Sequence, residues 1–135
     1  SGLMRSSMTS PPLHALVTGG NRGIGRQIVE LILANAPGSR VYLGSRDLQL
    51  GNKAAGEINQ ALEPADGLVI PVHLDVRSEP SVRAAEALIS SQVGYLDLLC
   101  NNAGIFHENP SAAKTLETRI TVFTKAAIGK SAVVG

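Results

Sequence analysis

With 135 residues, 44% apolar and 17% charged, the chain is long enough for one domain with a real core, too short for two, and too apolar for disorder. A net charge of +1 and the absence of tryptophan argue against an electrostatic or base-stacking grip on nucleic acid, and give no reason for an anionic membrane. The single cysteine, Cys100, excludes an internal disulfide and fits a reducing, cytoplasmic setting, and no apolar run approaches a membrane span.

Residues 1–12 lack the apolar core of a secretory signal and read as a disordered lead-in, closed by Pro11 and Pro12. His14 to Thr18 is a continuous apolar run, the pattern of a strand covered on both faces of a parallel sheet. It enters the stretch Thr18-Gly19-Gly20-Asn21-Arg22-Gly23-Ile24-Gly25, and a helical pattern from Arg26 to Ala34 leaves it. A strand, a glycine turn and a helix in that order set unpaired N–H groups at a helix N-terminus, where a phosphate is well held. Gly19 would make the sharp turn, Gly23 would let the backbone approach a pyrophosphate, and Gly25 would let the helix pack close to the strand. The spacing is G-x-x-x-G-x-G rather than G-x-G-x-x-G, and the plain alternative is a flexible loop between two elements. In the helix Ile28, Val29, Leu31, Ile32 and Leu33 are expected to fill one face, before Pro37 and Gly38 end it.

A second strand is expected at Val41 to Gly44. Asp47 then caps a helix reaching about Leu62, weakened by Gly51 and Gly56. Glu63 to Gly67 is a turn cluster. Leu68 to Leu74 reads as a third strand in which Pro71 suits only an edge position. Ser78 caps a helix to about Gln92, with Pro80 where its missing N–H does little harm. Leu96 to Cys100 is the fourth strand, and Asn101-Asn102-Ala103-Gly104 turns after it. This alternation means a three-layer α/β domain, a parallel sheet with helices on both faces, over residues 13–108. In the divergent tail, 109–135, Thr115 to Ile128 reads as a helix, with strand character at Ile120 to Phe123.

The glycine loop, Gly44-Ser45-Arg46-Asp47, Leu74-Asp75-Val76 and Asn101-Asn102-Ala103-Gly104 resemble, in order and placement, the short-chain dehydrogenase/reductase family, in its carbonyl-reductase-like members. The resemblance implies a Rossmann-type sheet in strand order 3-2-1-4 and covers the N-terminal, cofactor-binding half of such a protein. It implies that Gly19, Asn21, Arg22, Gly23, Ile24 and Gly25 hold the cofactor pyrophosphate. Asp75 would accept a hydrogen bond from the adenine amino group, beside the backbone of Val76. Asn101, with Asn102, Ala103 and Gly104, would line the ribose and brace the sheet. The plain alternatives are a helix cap for Asp75 and an ordinary turn for the asparagines.

NAD sites place a carboxylate at the end of the second strand, against the ribose 2′-OH. Here Ser45 and Arg46 stand there, and Arg22 sits in the glycine loop. Two guanidinium groups at one corner would suit a 2′-phosphate, which makes NADP(H) the favoured cofactor and NAD(H) the alternative. Asp47 complicates this corner, and Arg46 as a solvated surface charge is the bland reading.

Members of that family move a hydride between a nicotinamide and a carbonyl or alcohol. A tyrosine is the general acid/base, its pKa lowered from near 10 by a lysine four residues on. Tyr42 is followed at that offset by Arg46 and Tyr95 by Leu99, so neither fits, and Phe123 stands where a supporting asparagine is expected. No catalytic residue is assigned. The reading is the NADP(H)-binding portion of an oxidoreductase, truncated before its catalytic segment, with a small carbonyl or alcohol as the whole protein's substrate. The alternative is a non-enzymatic dinucleotide-binding or protein-interaction module derived from that family. His14, His73, His107 and Cys100 show no metal-ligand spacing, and Cys100 reads as a small core residue. In the order 3-2-1-4 the fourth strand would be a bare apolar edge. The tail, through Ser131 to Val134, is expected to cover it, or two chains to pair across it as a homo-oligomer.

Overall fold

A computed structural model describes residues 10–102 and 132–134. Strand β1 (His14–Thr18) leads to helix α1 (Gly23–Asn35), then β2 (Ser39–Ser45), α2 (Leu48–Gln60), a 3-10 turn (Pro64–Asp66), β3 (Gly67–His73), α3 (Glu79–Gln92), β4 (Leu98–Asn101) and β5 (Ala132–Val134). All strand pairs are parallel and the order is β3-β2-β1-β4-β5. This is the expected Rossmann-type sheet with a further strand added. Leu98 pairs with Ala132 and Cys100 with Val134, so the open side of β4 is covered from within the chain. The lead-in over 1–9, the helix expected at Thr115 to Ile128, and His107 and Phe123 lie outside the described residues.

The continuous apolar runs serve both faces because side chains alternate along a strand. Ala15, Val17, Val41, Leu43 and Val69 face one way, into a cluster with Val29, Ile32 and Leu33 of α1 and Ala54, Ala55 and Ile58 of α2. Leu16, Tyr42 and Val72 face the other way, with Val82, Ala85 and Ile89 of α3, closed by Leu96 and Leu99. Losing one such side chain to alanine would cost roughly 2–5 kcal/mol. Leu31 is 58% exposed rather than part of the α1 core face. It stands two residues from Val29, and residues at that offset point to opposite sides of a helix.

Both predicted caps form. The Asp47 carboxylate accepts from the Gln49 and Leu50 amides at the start of α2. Ser78 Oγ accepts from the Ser81 amide at the start of α3. Gly51, a weakness by propensity, lies where an added Cβ would meet Ser45 Cβ at 2.8 Å, so its missing side chain lets α2 approach β2 closely. The fourth strand starts at Leu98, later than expected. Before it, Asp97 turns its side chain to the His14 amide at 2.8 Å, while its own amide donates to the His14 carbonyl at 2.7 Å.

Pro71 sits on β3, the edge strand, as its missing N–H requires. Two residues earlier, the Asn59 side chain of α2 bonds both the amide and the carbonyl of Val69, each at 2.9 Å.

Candidate functional site

Because the strands are parallel, their carboxyl ends share one margin of the sheet. Along it stand, in spatial order, Asp75 past β3, Arg46 past β2, the glycine turn past β1 and Asn101-Asn102 at β4. Three strand spacings, about 14 Å, separate the ends of this row. In open α/β sheets, ligands bind beyond such a margin, where the strand order reverses.

The turn is built on two left-handed glycines, Gly19 (φ 64°) and Gly23 (φ 58°). Gly19 lets the chain reverse at the end of β1. An added Cβ on Gly23 would meet nothing within 4 Å, so the backbone there borders open space. Gly25 is the opposite case: its Cβ would lie 2.1 Å from the Gly19 carbonyl oxygen and 2.6 Å from Asn102 Nδ2. Only glycine brings α1 this close to the end of β1. Gly20, buried, donates its amide to the Gly44 carbonyl at 3.0 Å and so ties the turn to β2.

On the other side Thr18 ties it to β4. Its buried hydroxyl donates to Asn101 Oδ1 at 3.1 Å and accepts from the Asn102 amide at 2.7 Å. Asn102 Nδ2 in turn reaches the Gly19 carbonyl at 3.4 Å. Asn101 and Asn102 thus brace the glycine turn. Ala103 and Gly104, expected beside them, lie outside the described residues.

Helix α1 opens without a side-chain cap: Arg22 holds the cap position in extended backbone, and its side chain makes no capping bond. The first amides of a helix have no acceptor within it, and a positive partial charge gathers there. Asn21 is half-buried, and Arg22, Gly23 and Ile24 are exposed around this opening, Ile24 by 68%. At the end of β2, Ser45 is buried and its hydroxyl donates to the Asp47 carbonyl at 2.7 Å, shaping the turn that carries Arg46. Asp47, which complicated the charge reading, is committed to the α2 cap. Arg22 and Arg46 form no ion pair among the described residues.

Beyond β3, Asp75 is not a helix cap, since Ser78 has that role. Its Oδ1 accepts from the Arg77 amide at 3.0 Å and from Arg77 Nε at 3.2 Å. Partial burial pushes the Asp75 carboxyl up, but the bonds and charge of Arg77, with the charge of Arg46, more than offset this and hold it below its ordinary value. Val76 turns its side chain into the α3-side core.

Neither tyrosine stands on this margin. Tyr42 is fully buried, its hydroxyl 2.8 Å from Gln92 Oε1. Tyr95 lies at the amino ends of the strands, its ring 4.5 Å from that of His14. Burial pushes the Cys100 thiol up, in keeping with a core residue. Among the described residues no cluster of His, Cys, Asp or Glu could hold a metal, and no helix is long and apolar enough to cross a membrane. A groove of about 360 Å³ between α1 and α2 runs from Arg26 toward Asp66, away from the row just described.

Sequence reasoning did not single out Thr18, Gly20 or Arg77. A hydroxyl residue closing an apolar strand ahead of a glycine turn was the available signal for Thr18.

The sequence pattern of the short chain dehydrogenase family matches residues 13–128, and the chain belongs to that family. It is 39% identical over 94 residues to (+)-neomenthol dehydrogenase of Arabidopsis thaliana, covering 70% of this chain and 31% of that protein. The chain thus spans about a third of the length of such curated relatives. Menthone neomenthol reductase from Mentha piperita superposes with a TM-score of 0.65 at 30% identity, covering 87% of this chain and 42% of the other. The Pseudomonas aeruginosa RhlG/NADP active-site complex gives a TM-score of 0.72 at 26% identity, covering 89% and 48%.

Proposed function

We propose that this chain is the NADP(H)-binding portion of a short-chain dehydrogenase/reductase that interconverts a small carbonyl compound and an alcohol, in a reducing, cytoplasmic compartment. The observation that carries the reading is the opening of α1, an uncapped helix N-terminus beside an open Gly23, on the margin where the sheet order reverses. The residues fit a dinucleotide. The amides after Gly23 would face the pyrophosphate, with Asn21, Ile24 and Gly25 shaping the turn, and Asn101, Ala103 and Gly104 would line the ribose. Asp75 and the Val76 backbone would meet the adenine.

Arg22 and Arg46, without ion partners among the described residues, would take the 2′-phosphate on a corner shaped by buried Ser45. The Asp47 carboxylate beside this corner is turned toward the α2 amides, which partly offset its charge. The likeness to an NADP complex supports the same preference. When bound, the nicotinamide supplies the hydride. The general acid/base would come from a Tyr-x-x-x-Lys segment outside this chain, which spans only about a third of its curated relatives.

A second reading, a dinucleotide-binding or protein-interaction module without catalysis, draws on the placement of both tyrosines away from the margin. Titration with NADPH and NADH, followed by nicotinamide fluorescence, tests what the two readings share. Saturable binding with NADPH preferred is expected, and no saturation by either cofactor overturns it. Joined to a segment bearing Tyr-x-x-x-Lys, the chain should oxidise NADPH with a carbonyl substrate; binding without any turnover would favour the second reading.

A further inference from the structure

Arg46 and Asp75 stand at the ends of adjacent strands with opposite charges, and Arg46 is close enough for its charge to act on Asp75, yet the two do not pair. Asp75 pairs instead with Arg77, two residues along its own chain. Its backbone is fixed first: the amide donates to Ser81 Oγ at 2.9 Å and the carbonyl accepts from the Ser78 amide at 3.0 Å. On the side chain, both bonds from Arg77 land on Oδ1. Oδ2 receives no bond from a described residue.

We propose that Arg77 is a positioning residue that holds Asp75 apart from Arg46, so that one carboxylate oxygen stays open to the adenine amino group and the Arg46 guanidinium stays open to the 2′-phosphate. This rests on the dinucleotide reading given above. The physical point is competition. A carboxylate and a guanidinium on neighbouring strand ends can pair, which would draw both away from a ligand, and a cation already on Oδ1 lessens what a second one gains. Arg77 engages Asp75 locally, its amide and its Nε bonding the same oxygen. Its side chain is 45% exposed, so it contributes little to packing.

The test uses NADPH, NADH and deamino-NADPH, in which a carbonyl replaces the adenine amino group and would face the Asp75 carboxylate as acceptor to acceptor. The full chain is titrated with each, alongside Arg77→Ala and Arg77→Lys, with circular dichroism and melting temperature as controls for folding. Wild type should prefer NADPH over both other cofactors. Arg77→Ala should lower both preferences together by roughly twofold to fivefold, the fold-change of one exposed ion pair, with a melting temperature lowered by no more than such a pair accounts for. Arg77→Lys, which keeps the charge, should restore part of each. If wild type discriminates and Arg77→Ala discriminates equally well, the positioning role is wrong and the dinucleotide reading stands. Equal binding of NADPH and deamino-NADPH by wild type removes the adenine contact of Asp75 and the inference with it. No saturable binding by wild type overturns the functional reading itself. Should Arg77→Ala fold poorly, Arg77→Gln replaces it under the same criteria.

Discussion

Helices α1 and α2 each run for 13 residues against the same face of the sheet, yet their first turns are closed in opposite ways. At α2 the Asp47 carboxylate takes two amides, so a negative group of the protein already meets the positive end of the helix. At α1 an arginine holds the cap position and offers nothing to the amides. One helix start is finished by a side chain of the protein; the other is left without a side-chain cap, which suits the anion site proposed above. The difference lies in one residue type at one position, and the energies at stake, about 1 kcal/mol per cap, are small beside the core. A modest local deficit is thus where a binding site can be placed without endangering the fold.

The largest break in this comparison should come from Gly25→Ala. Its Cβ would overlap the Gly19 backbone, which cannot yield cheaply, so we expect a loss near the upper end of the overpacking range, about 3 kcal/mol, and abolished NADPH binding. Urea unfolding and titration would measure both, and a stable, binding-competent variant would show that the close approach is not needed. Thr18→Val comes next. It removes the hydroxyl that joins β1 to Asn101 and Asn102, leaving polar groups unpaired at a cost of roughly 1–3 kcal/mol, with weaker cofactor binding from a loosened turn.

Exchanging the two helix starts sharpens the contrast. Asp47→Ala should cost about 1 kcal/mol, whereas Arg22→Asp, which supplies α1 with a cap, should gain about as much in the free protein. The same Arg22→Asp change should weaken NADPH binding tenfold or more, since the site loses a cation and gains a competing anion; tighter binding would refute the anion-site reading. The smallest effect is in pH. Asp75 is held below its ordinary value when folded, so its contribution is complete above the unfolded value near 3.9 and is lost as pH falls through the folded one. Denaturation midpoints taken from pH 5 downward should therefore fall more steeply for wild type than for Arg77→Ala.

The legible parts of the chain were those written locally. A buried strand announces itself by a continuous apolar run, and Asp47 and Ser78 announce helix starts by their position ahead of helical periodicity. Pro71 announced an edge. The order β3-β2-β1-β4 followed from the family resemblance. What the sequence hid were contacts between distant segments. Nothing local to Thr18 tells that its partners stand 83 and 84 residues away. Gly51 looked like a defect because its neighbour Ser45 belongs to another element. Leu31 is as apolar as its neighbours, and only its angle around the helix sets it outside the core face.

The side-chain amide of Asn59 occupies on Val69 the place a neighbouring strand would take. Val69 and Pro71 share a parity along β3, so where Val69 is already satisfied from a side chain, the next outward position has no hydrogen to give. The middle of that flank therefore offers little to the backbone of another chain, whether in a folded assembly or in a fibril.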